Sequence, residues 1–373
     1  MQAGIVIDAH MVGEQEGGNE TYILNLIRGL QTTHGTERFW IATAHPKQLE
    51  ERISLGGRFL PVTVSANPFR RLLVDLPNIV KEKCARLLHV TYFAPLWLGI
   101  PYVATIHDII YALHPDWFSF RDRMILKTGI SRSMKAAAAI ITLSESSKRD
   151  ILKHFPVHES LIHSIHLASD EMFFKSPASG AVEGFLKKAD IKRPYILAVS
   201  SLHPRKNIRR LIEAFGMAIK HRGLSHHLVV AGKAHWKESE ITAAVRQFGL
   251  ASRITFAGYV SDSDLPLLYR GADAFVYPSL YEGFGIPVLE AMACGVPVIC
   301  SNTSSLPEAA GKAAAMFDPE DTHSLSKALI DVLGNQAEAS RLRALGIQHA
   351  RSFSWSKTAA ETLSVYRKVL GVG

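Results

Sequence analysis

The chain is poor in the features that mark several protein classes. It has three cysteines, Cys84, Cys294 and Cys300, an odd set without metal-ligand spacing, so it reads neither as a disulfide scaffold nor as a cysteine metal site. Each lies in an apolar stretch where cysteine serves as a small hydrophobe, which points to a reducing compartment. No apolar run is long enough to cross a bilayer, and the first residues carry no basic segment followed by an apolar one, so a cytoplasmic protein is expected. Low-complexity tracts and short internal repeats are missing as well. The 17 histidines show no spacing of the H-x-x-x-H kind flanked by a glutamate, so neither a metal nor any other cofactor is expected.

What is present is ordinary globular composition. At 373 residues, 47% hydrophobic and 20% charged, the chain is sized for two domains, each with its own core. Lysine and arginine exceed aspartate and glutamate by 42 to 34, a net charge of +8. Such a surplus suits nucleic acid, an anionic membrane surface or phosphorylated small molecules. No helix-turn-helix, zinc-finger or RNA-recognition signature supports the first, so nucleic acid is not expected as a partner.

Short apolar runs alternate with helix-length amphipathic stretches, the pattern of βα units building parallel sheets in an α/β fold. In the first half, strands are predicted at 4–8, 39–43, 59–64, 87–90, 102–106, 139–143 and 161–165, with helices such as 19–31 and 121–137 between them. A second series is predicted at 195–199, 227–231, 253–256, 274–277, 296–300 and 313–317. The stretch 167–194, with Pro177, Ser179 and Gly180, separates the two series. Two doubly wound halves facing a cleft bind ligands at the carboxyl ends of their strands, where helix N-termini and βα loops converge.

The most informative segment there is 272–297, ADAFVYPSLYEGFGIPVLEAMACGVP, read as strand, glycine-rich turn and helix. Pro287 suits the first helical position, where a missing N–H costs nothing. Gly283 and Gly285 let the backbone approach a ligand beside Phe284. The free amides of Gly285, Ile286, Val288 and Leu289, with the positive end of the helix dipole, make an anion site fit for phosphate. Glu290 would lean back toward hydroxyls beside that phosphate. Glu282, eight residues earlier, could hold sugar hydroxyls. Taken singly, the two glutamates also read as a first-turn dipole carboxylate and a solvated loop residue.

A second constellation is Val199-Ser200-Ser201-Leu202-His203-Pro204-Arg205-Lys206-Asn207, between a strand and the helix predicted at 208–219. Adjacent cations in such a loop clamp a diphosphate, Arg205 through its fork and Lys206 as a point charge. Taken by itself the turn also reads as a solvated surface loop.

Together these segments resemble glycosyltransferase family 4, retaining enzymes of two Rossmann-like domains (the GT-B fold) with an E-x7-E signature. The resemblance continues through Ala291 to Ile299, Ser301 and Leu306-Pro307-Glu308, and departs from the family's frequent Gly-Arg at Ser200-Ser201. It implies that Arg205 and Lys206 bind the donor pyrophosphate, that Glu282 orients the sugar and that Glu290 holds the ribose. It places Gly17 and Gly18, at a helix start, beside the donor phosphates, and His107 of Ala104-Thr105-Ile106-His107-Asp108 against the donor sugar. A flexible cap for Gly17-Gly18 and a hydrogen-bonded loop for His107-Asp108 are the plainer alternatives.

The implied catalytic set is His107, Glu282, Arg205 and Lys206. Asp108, Gly283, Phe284, Gly285, Ile286, Val288 and Glu290 would contact substrate, with the base near Tyr259 and Val260. Residues 1–167 and 355–373 would form the acceptor-side domain, and 168–354 the donor domain.

The implied reaction moves a sugar, with retention, from a UDP- or GDP-sugar, GDP-mannose among them, to a hydroxyl of a saccharide or lipid-linked acceptor in cell-surface glycan synthesis. A noncatalytic sugar-nucleotide-binding subunit, or a GT-B-like epimerase or phosphorylase, is the rival reading. Residues 68–88 place Phe69, Leu72, Leu73, Leu76, Ile79 and Val80 at helical intervals beside Arg70, Arg71, Lys81 and Lys83. That pattern fits either an interfacial helix on an anionic membrane or a core-facing helix with a basic outer side. Residues 92–97 and 117–120, rich in aromatics, line an acceptor pocket or pack loops.

Overall fold

The computed structural model describes residues 4–14, 17–232 and 238–372. The chain divides into two compact units, Met1–Leu167 with Ser354–Gly373, and Ala168–Phe353.

The first unit is built on a seven-stranded sheet in the order β3-β2-β1-β4-β5-β6-β7. Its strands are β1 (Gly4–Asp8), β2 (Arg38–Thr43), β3 (Phe59–Thr63), β4 (Leu87–Thr91), β5 (Tyr102–Thr105), β6 (Ala139–Thr142) and β7 (Ile162–Ser164). All pairings are parallel. The central strands are buried along their whole length, as strands covered by helices on both faces must be. The C-terminal helix Trp355–Leu370 closes this unit against the helix Gly18–Thr32. The approach is tight because Gly29 has no side chain: a Cβ there would stand 2.5 Å from the Trp355 carbonyl oxygen. Thr358 donates to the His166 carbonyl at 2.7 Å, and Arg367 Nε meets Glu37 at 2.7 Å.

The second unit has six strands in the order β10-β9-β8-β11-β12-β13: β8 (Tyr195–Val199), β9 (His227–Ala231), β10 (Ile254–Gly258), β11 (Ala274–Tyr277), β12 (Val298–Ser301) and β13 (Ala314–Phe317). These too pair in parallel. In both units the order reverses beside the first strand, at β1/β4 and at β8/β11. At such a reversal the loops leaving the carboxyl ends part to opposite faces and leave a crevice. Arg205 and Lys206 follow β8, and Glu282 follows β11, so topology alone brings them to one crevice.

Three sequence expectations change. Cys84 is exposed, because it turns the chain out of the helix Leu76–Glu82 in a left-handed conformation with φ 48°. The strand expected at 296–300 begins at Val298, after Gly295 has turned the chain with φ 70°. The helical run 68–82 sends Leu76, Ile79 and Val80 into the core but leaves Phe69 and Leu73 outside.

Candidate active site

In the second unit the site begins at the short turn Pro204–Lys206, whose N-terminus His203 caps by accepting the Arg205 amide at 3.2 Å. Asn207 then adopts a left-handed conformation with φ 57°. Its side-chain amide donates to the Pro278 carbonyl at 3.1 Å and the Pro319 carbonyl at 2.9 Å. Asparagine tolerates this region better than most residues, and here its amide is fully used. The Leu280 amide donates to the Arg205 carbonyl at 2.8 Å, so the loops after β8 and β11 are stitched at backbone level.

Three of the expected residues come together there. Glu282 Oε2 lies 2.7 Å from Arg205 Nη1, and Oε1 lies 2.6 Å from Lys206 Nζ. Lys206 also donates to the Tyr277 hydroxyl at 2.6 Å. Burial works to raise the Glu282 pKa, but Arg205 and Lys206 outweigh it and hold the carboxyl down at about 2. Glu282 is thus a buried carboxylate, not a solvated loop residue. His203 beside it is lowered to about 4 by burial and by the two cations.

The loop is braced by two serines that sequence reasoning passed over. Ser304 Oγ accepts the Glu282 amide at 3.0 Å, and Ser305 Oγ stands 2.9 Å from the carbonyls of both Glu282 and Phe284. Gly285, with φ 108°, caps the helix Ile286–Ala293. That conformation and the Leu306 methyl 2.7 Å from a would-be Cβ both require glycine. Pro287 is the second helical residue, not the first. The Val288 amide, expected to be free, donates to the Gly285 carbonyl at 3.0 Å. Phe284 turns its ring to Phe353, 5.9 Å between centroids, and the Ile286 and Val288 side chains are buried. Any contact these three residues make with an anion is therefore through backbone.

Glu290 is separate from the cation cluster. Its carboxyl takes the Tyr269 hydroxyl at 2.9 Å. Burial, with Asp262 and Asp170 adding to it, raises the carboxyl to about 7 against the lowering pull of that hydrogen bond. Tyr259 and Val260 follow Gly258, which ends β10 at a break in register. The Tyr259 ring is exposed.

The first unit holds the other expected residues. His107, after β5, is buried between the rings of Tyr22 at 4.9 Å and Tyr92 at 5.3 Å. Burial and the neighbouring His89 lower it to about 3, so it is neutral. Its Nε2 is buried without a hydrogen-bond partner among the described residues. Beneath it runs a chain of hydrogen bonds: Tyr22 hydroxyl to Thr105 Oγ1 at 2.9 Å, Thr105 to His89 Nε2 at 2.7 Å, and His89 Nδ1 to the Tyr366 hydroxyl. Asp108 accepts the Ile110 amide at 3.0 Å and so holds its own turn. Gly17, with φ 58°, caps the helix Gly18–Thr32, and at neither Gly17 nor Gly18 would a Cβ meet an atom within 4 Å.

Tyr277, Tyr269, Tyr22, Ser304 and Ser305 are the residues the motif reading missed. For the tyrosines a signal existed, since a tyrosine in a buried element needs a partner for its hydroxyl. For the serines there was none, because their partners are backbone atoms some twenty residues away in sequence.

Two adjacent cations sharing one buried carboxylate at a strand-to-helix turn, in a chain of two doubly wound parallel-sheet units, give the architecture of a GT-B transferase. The family model for Glycosyl transferases group 1 matches residues 185–349, and that for Glycosyltransferase Family 4 matches residues 16–171. The O-antigen chain mannosyltransferase B of Escherichia coli is 34% identical over 268 residues, covering 71% of this chain and 70% of the relative. The chain belongs to the group 1 glycosyltransferases. The serotype-specific mannosyltransferase WbdA of Escherichia coli is 30% identical over 275 residues, but the match spans only 33% of WbdA. Among solved structures, Anabaena Alr3699/HepE in complex with UDP and glucose matches with a TM-score of 0.76 at 18% identity, over 97% of this chain and 100% of that one.

Proposed function

We propose that this glycosyltransferase moves mannose, with retention of configuration, from a nucleotide diphosphate mannose, GDP-mannose first, to a saccharide hydroxyl of a lipid-linked acceptor at the cytoplasmic face of a membrane. The observation that carries the donor assignment is the Arg205–Lys206–Glu282 cluster beside the N-terminus of the helix Ile286–Ala293. The names of the relatives support mannose and a cell-surface glycan.

The units act as acceptor side (1–167 with 355–373) and donor side (168–354). Arg205, Lys206 and the amides of Gly283 and Gly285 take the charge that builds on the departing diphosphate, which is where such enzymes lower the barrier most. The bond from the anomeric carbon to the phosphate oxygen breaks, and the acceptor oxygen bonds to the same face. The acceptor's proton passes to the departing phosphate, so no strong protein base is required. Glu282 orients the sugar, and Glu290 takes the ribose hydroxyls. Tyr259 and Val260 meet the base, and Gly17 and Gly18 lie against the phosphates. His107 offers Nε2 to a sugar hydroxyl.

The test is a thermal-shift screen of GDP, UDP, ADP and their sugars, followed by transfer from the best binder. A ligand of the folded state raises apparent stability with its affinity. Stabilisation by GDP-mannose and formation of an α-mannosyl product are expected; stabilisation by UDP-glucose alone would overturn the choice of sugar.

A further inference from the structure

His107 stands at the carboxyl edge of the first sheet, and its direction is not set in the usual way. The hydrogen bond made by one ring nitrogen commonly fixes a histidine's tautomer and orientation, yet Nε2 is buried without a partner among the described residues. What holds the imidazole is aromatic. Tyr22 meets it edge-on, 4.9 Å between centroids at 80°, and Tyr92 lies against it at 5.3 Å and 49°. Burial and the neighbouring His89 keep the ring neutral, so no ion pair anchors it either.

Both tyrosines are themselves pinned, by different means. Tyr22, on the helix Gly18–Thr32, is buried, and its hydroxyl is one end of the chain that runs through Thr105 and His89 to Tyr366 on the C-terminal helix. All four members are buried, and a buried polar chain with its partners in place is rigid. Thr105 ends β5, and Ile106 continues the strand by donating its amide to the Ile141 carbonyl at 2.8 Å. Side chains two apart on a strand share a face. One strand end therefore carries both the histidine and the hydroxyl that ties down Tyr22.

Tyr92 is held by its backbone. It follows β4 with φ 65°, a region that an aromatic residue enters only at a cost. The Phe93 amide reaches back over it to the Thr91 carbonyl at 2.8 Å, and the Tyr92 amide donates to the Thr105 carbonyl at 3.0 Å. A three-residue turn of this kind with positive φ is rare and strained. An extended residue here would face away from Thr91 and His89; the turn brings the ring to His107 instead. Glycine would make the turn freely but supply no ring. Backbone strain persists where its surroundings over-determine it, and it collects at functional sites.

We infer that Tyr92 and Tyr22 are positioning residues for His107, two rings that clamp its imidazole and aim Nε2 at a substrate hydroxyl. The inference rests on the role proposed above for His107 and adds what sets its direction. Tyr366 acts further back: it holds His89, His89 holds Thr105 and Thr105 holds Tyr22, which couples the C-terminal helix to the histidine ring. The sugar then meets an imidazole already in place, and a group positioned in advance lowers the barrier by the ordering it no longer has to undergo.

The experiment follows GDP release from GDP-mannose, with methyl α-mannoside as acceptor, beside thermal unfolding and calorimetric GDP affinity of the full chain. Tyr92→Gly relaxes the turn and removes the ring. It should lower kcat about tenfold with GDP affinity unchanged and the unfolding temperature held, since relief of the turn offsets the lost packing. Tyr92→Phe, which keeps the ring, should restore the rate. Tyr22→Phe and Tyr366→Phe break the chain at its two ends and should lower kcat to a lesser extent. Residues that act through His107 lose their effect once it is gone, so in a His107→Ala background none of these substitutions should cost further rate. A loss of the same size in that background, or a fall in unfolding temperature that tracks the loss of rate in all three variants, overturns the inference. So does kcat lost in His107→Ala but intact in Tyr92→Gly and Tyr22→Phe, and this result leaves the role of His107 standing. Wild-type rates in His107→Ala would instead refute that role, and the clamp's part in the reaction with it. If the wild type releases no GDP, the proposed donor is refuted, and the same series is read with UDP-glucose.

Discussion

Lys206 holds Glu282 at 2.6 Å with both side chains almost wholly buried. The acid expected to handle the sugar is thus the resident counter-ion of the cations expected to handle the diphosphate. A buried lysine beside a half-buried arginine, both without a partner, would be costly to keep, and a carboxylate shared between them makes the cluster tolerable. In the proposed reaction a diphosphate entering the site would compete for the same donors, and its arrival would release Glu282 from part of its pairing and free it to meet the sugar.

From that relation follows the outcome of Glu282→Gln. The amide keeps the shape and removes the charge, so the two cations lose their competitor for phosphate. Affinity for the nucleotide diphosphate should stay the same or rise, while kcat falls by about 10- to 100-fold, the worth of one charge-assisted hydrogen bond. Calorimetry with the nucleotide and steady-state kinetics with the donor measure the two. A fall in nucleotide affinity with kcat intact would reverse the assigned roles.

Arg205 and Lys206 should differ although they are neighbours. The Lys206 side chain is 9% exposed and that of Arg205 30%. Lys206→Ala leaves a buried carboxylate short of a partner and should cost about 3 to 5 kcal/mol of fold stability. Arg205→Ala should spare the fold and weaken nucleotide diphosphate binding by about 1 to 3 kcal/mol. Acid titration gives a second check. Glu282 is lowered from 4.5 to about 2, so its contribution to stability is complete above pH 4.5 and disappears as pH falls toward 2. The acid limb of a denaturation profile should be shallower in Glu282→Gln over that window.

Much of this site was legible in the sequence because local geometry determines it. A strand, a glycine turn and a helix written in one stretch fix the helix start to within one residue and with it the place of Glu290, and every strand among the described residues lies within a few residues of its expected bounds. What stayed hidden depends on tertiary partners. Nothing at 282 announces burial, which comes from Lys206 and Ser304 on other loops. Phe284 sits in the glycine motif, yet its ring belongs to the core beside Phe353. The periodicity of 68–82 supports two opposite faces, and packing alone decides that Leu76 goes inside and Phe69 stays out.

Transfer should persist after treatment with EDTA. In the proposed reaction Arg205, Lys206 and the helix amides would supply the positive charge that a divalent ion would bring to the diphosphate. No group of three or more histidine, cysteine or acidic side chains fit to hold a metal occurs among the described residues. The check is the initial rate before and after chelation, with magnesium or manganese added back. Activity lost with chelator and regained with metal would require a different account of the phosphate site.

The pH dependence of donor binding should carry the mark of Glu290. Its carboxyl is raised from 4.5 to about 7, by burial first and by Asp262 and Asp170 after it. A group raised in this way stabilises the fold fully below pH 4.5, and that contribution is lost as pH climbs through 7. Binding runs the other way. A carboxylate can accept from both ribose hydroxyls, whereas the protonated acid must spend one oxygen as a donor, so affinity for the nucleotide should rise between about pH 6 and 8. The nucleotide's terminal phosphate also ionises near pH 6, as phosphate esters do, and contributes a slope of its own. The difference between wild type and Glu290→Gln isolates the protein's share. Wild type should gain affinity through pH 7 beyond whatever the variant gains, and the variant should show a raised donor KM at pH 8. Tyr269→Phe removes the hydrogen bond that lowers the carboxyl and should shift the wild-type transition to higher pH. Parallel pH profiles for wild type and Glu290→Gln would remove Glu290 from the ribose.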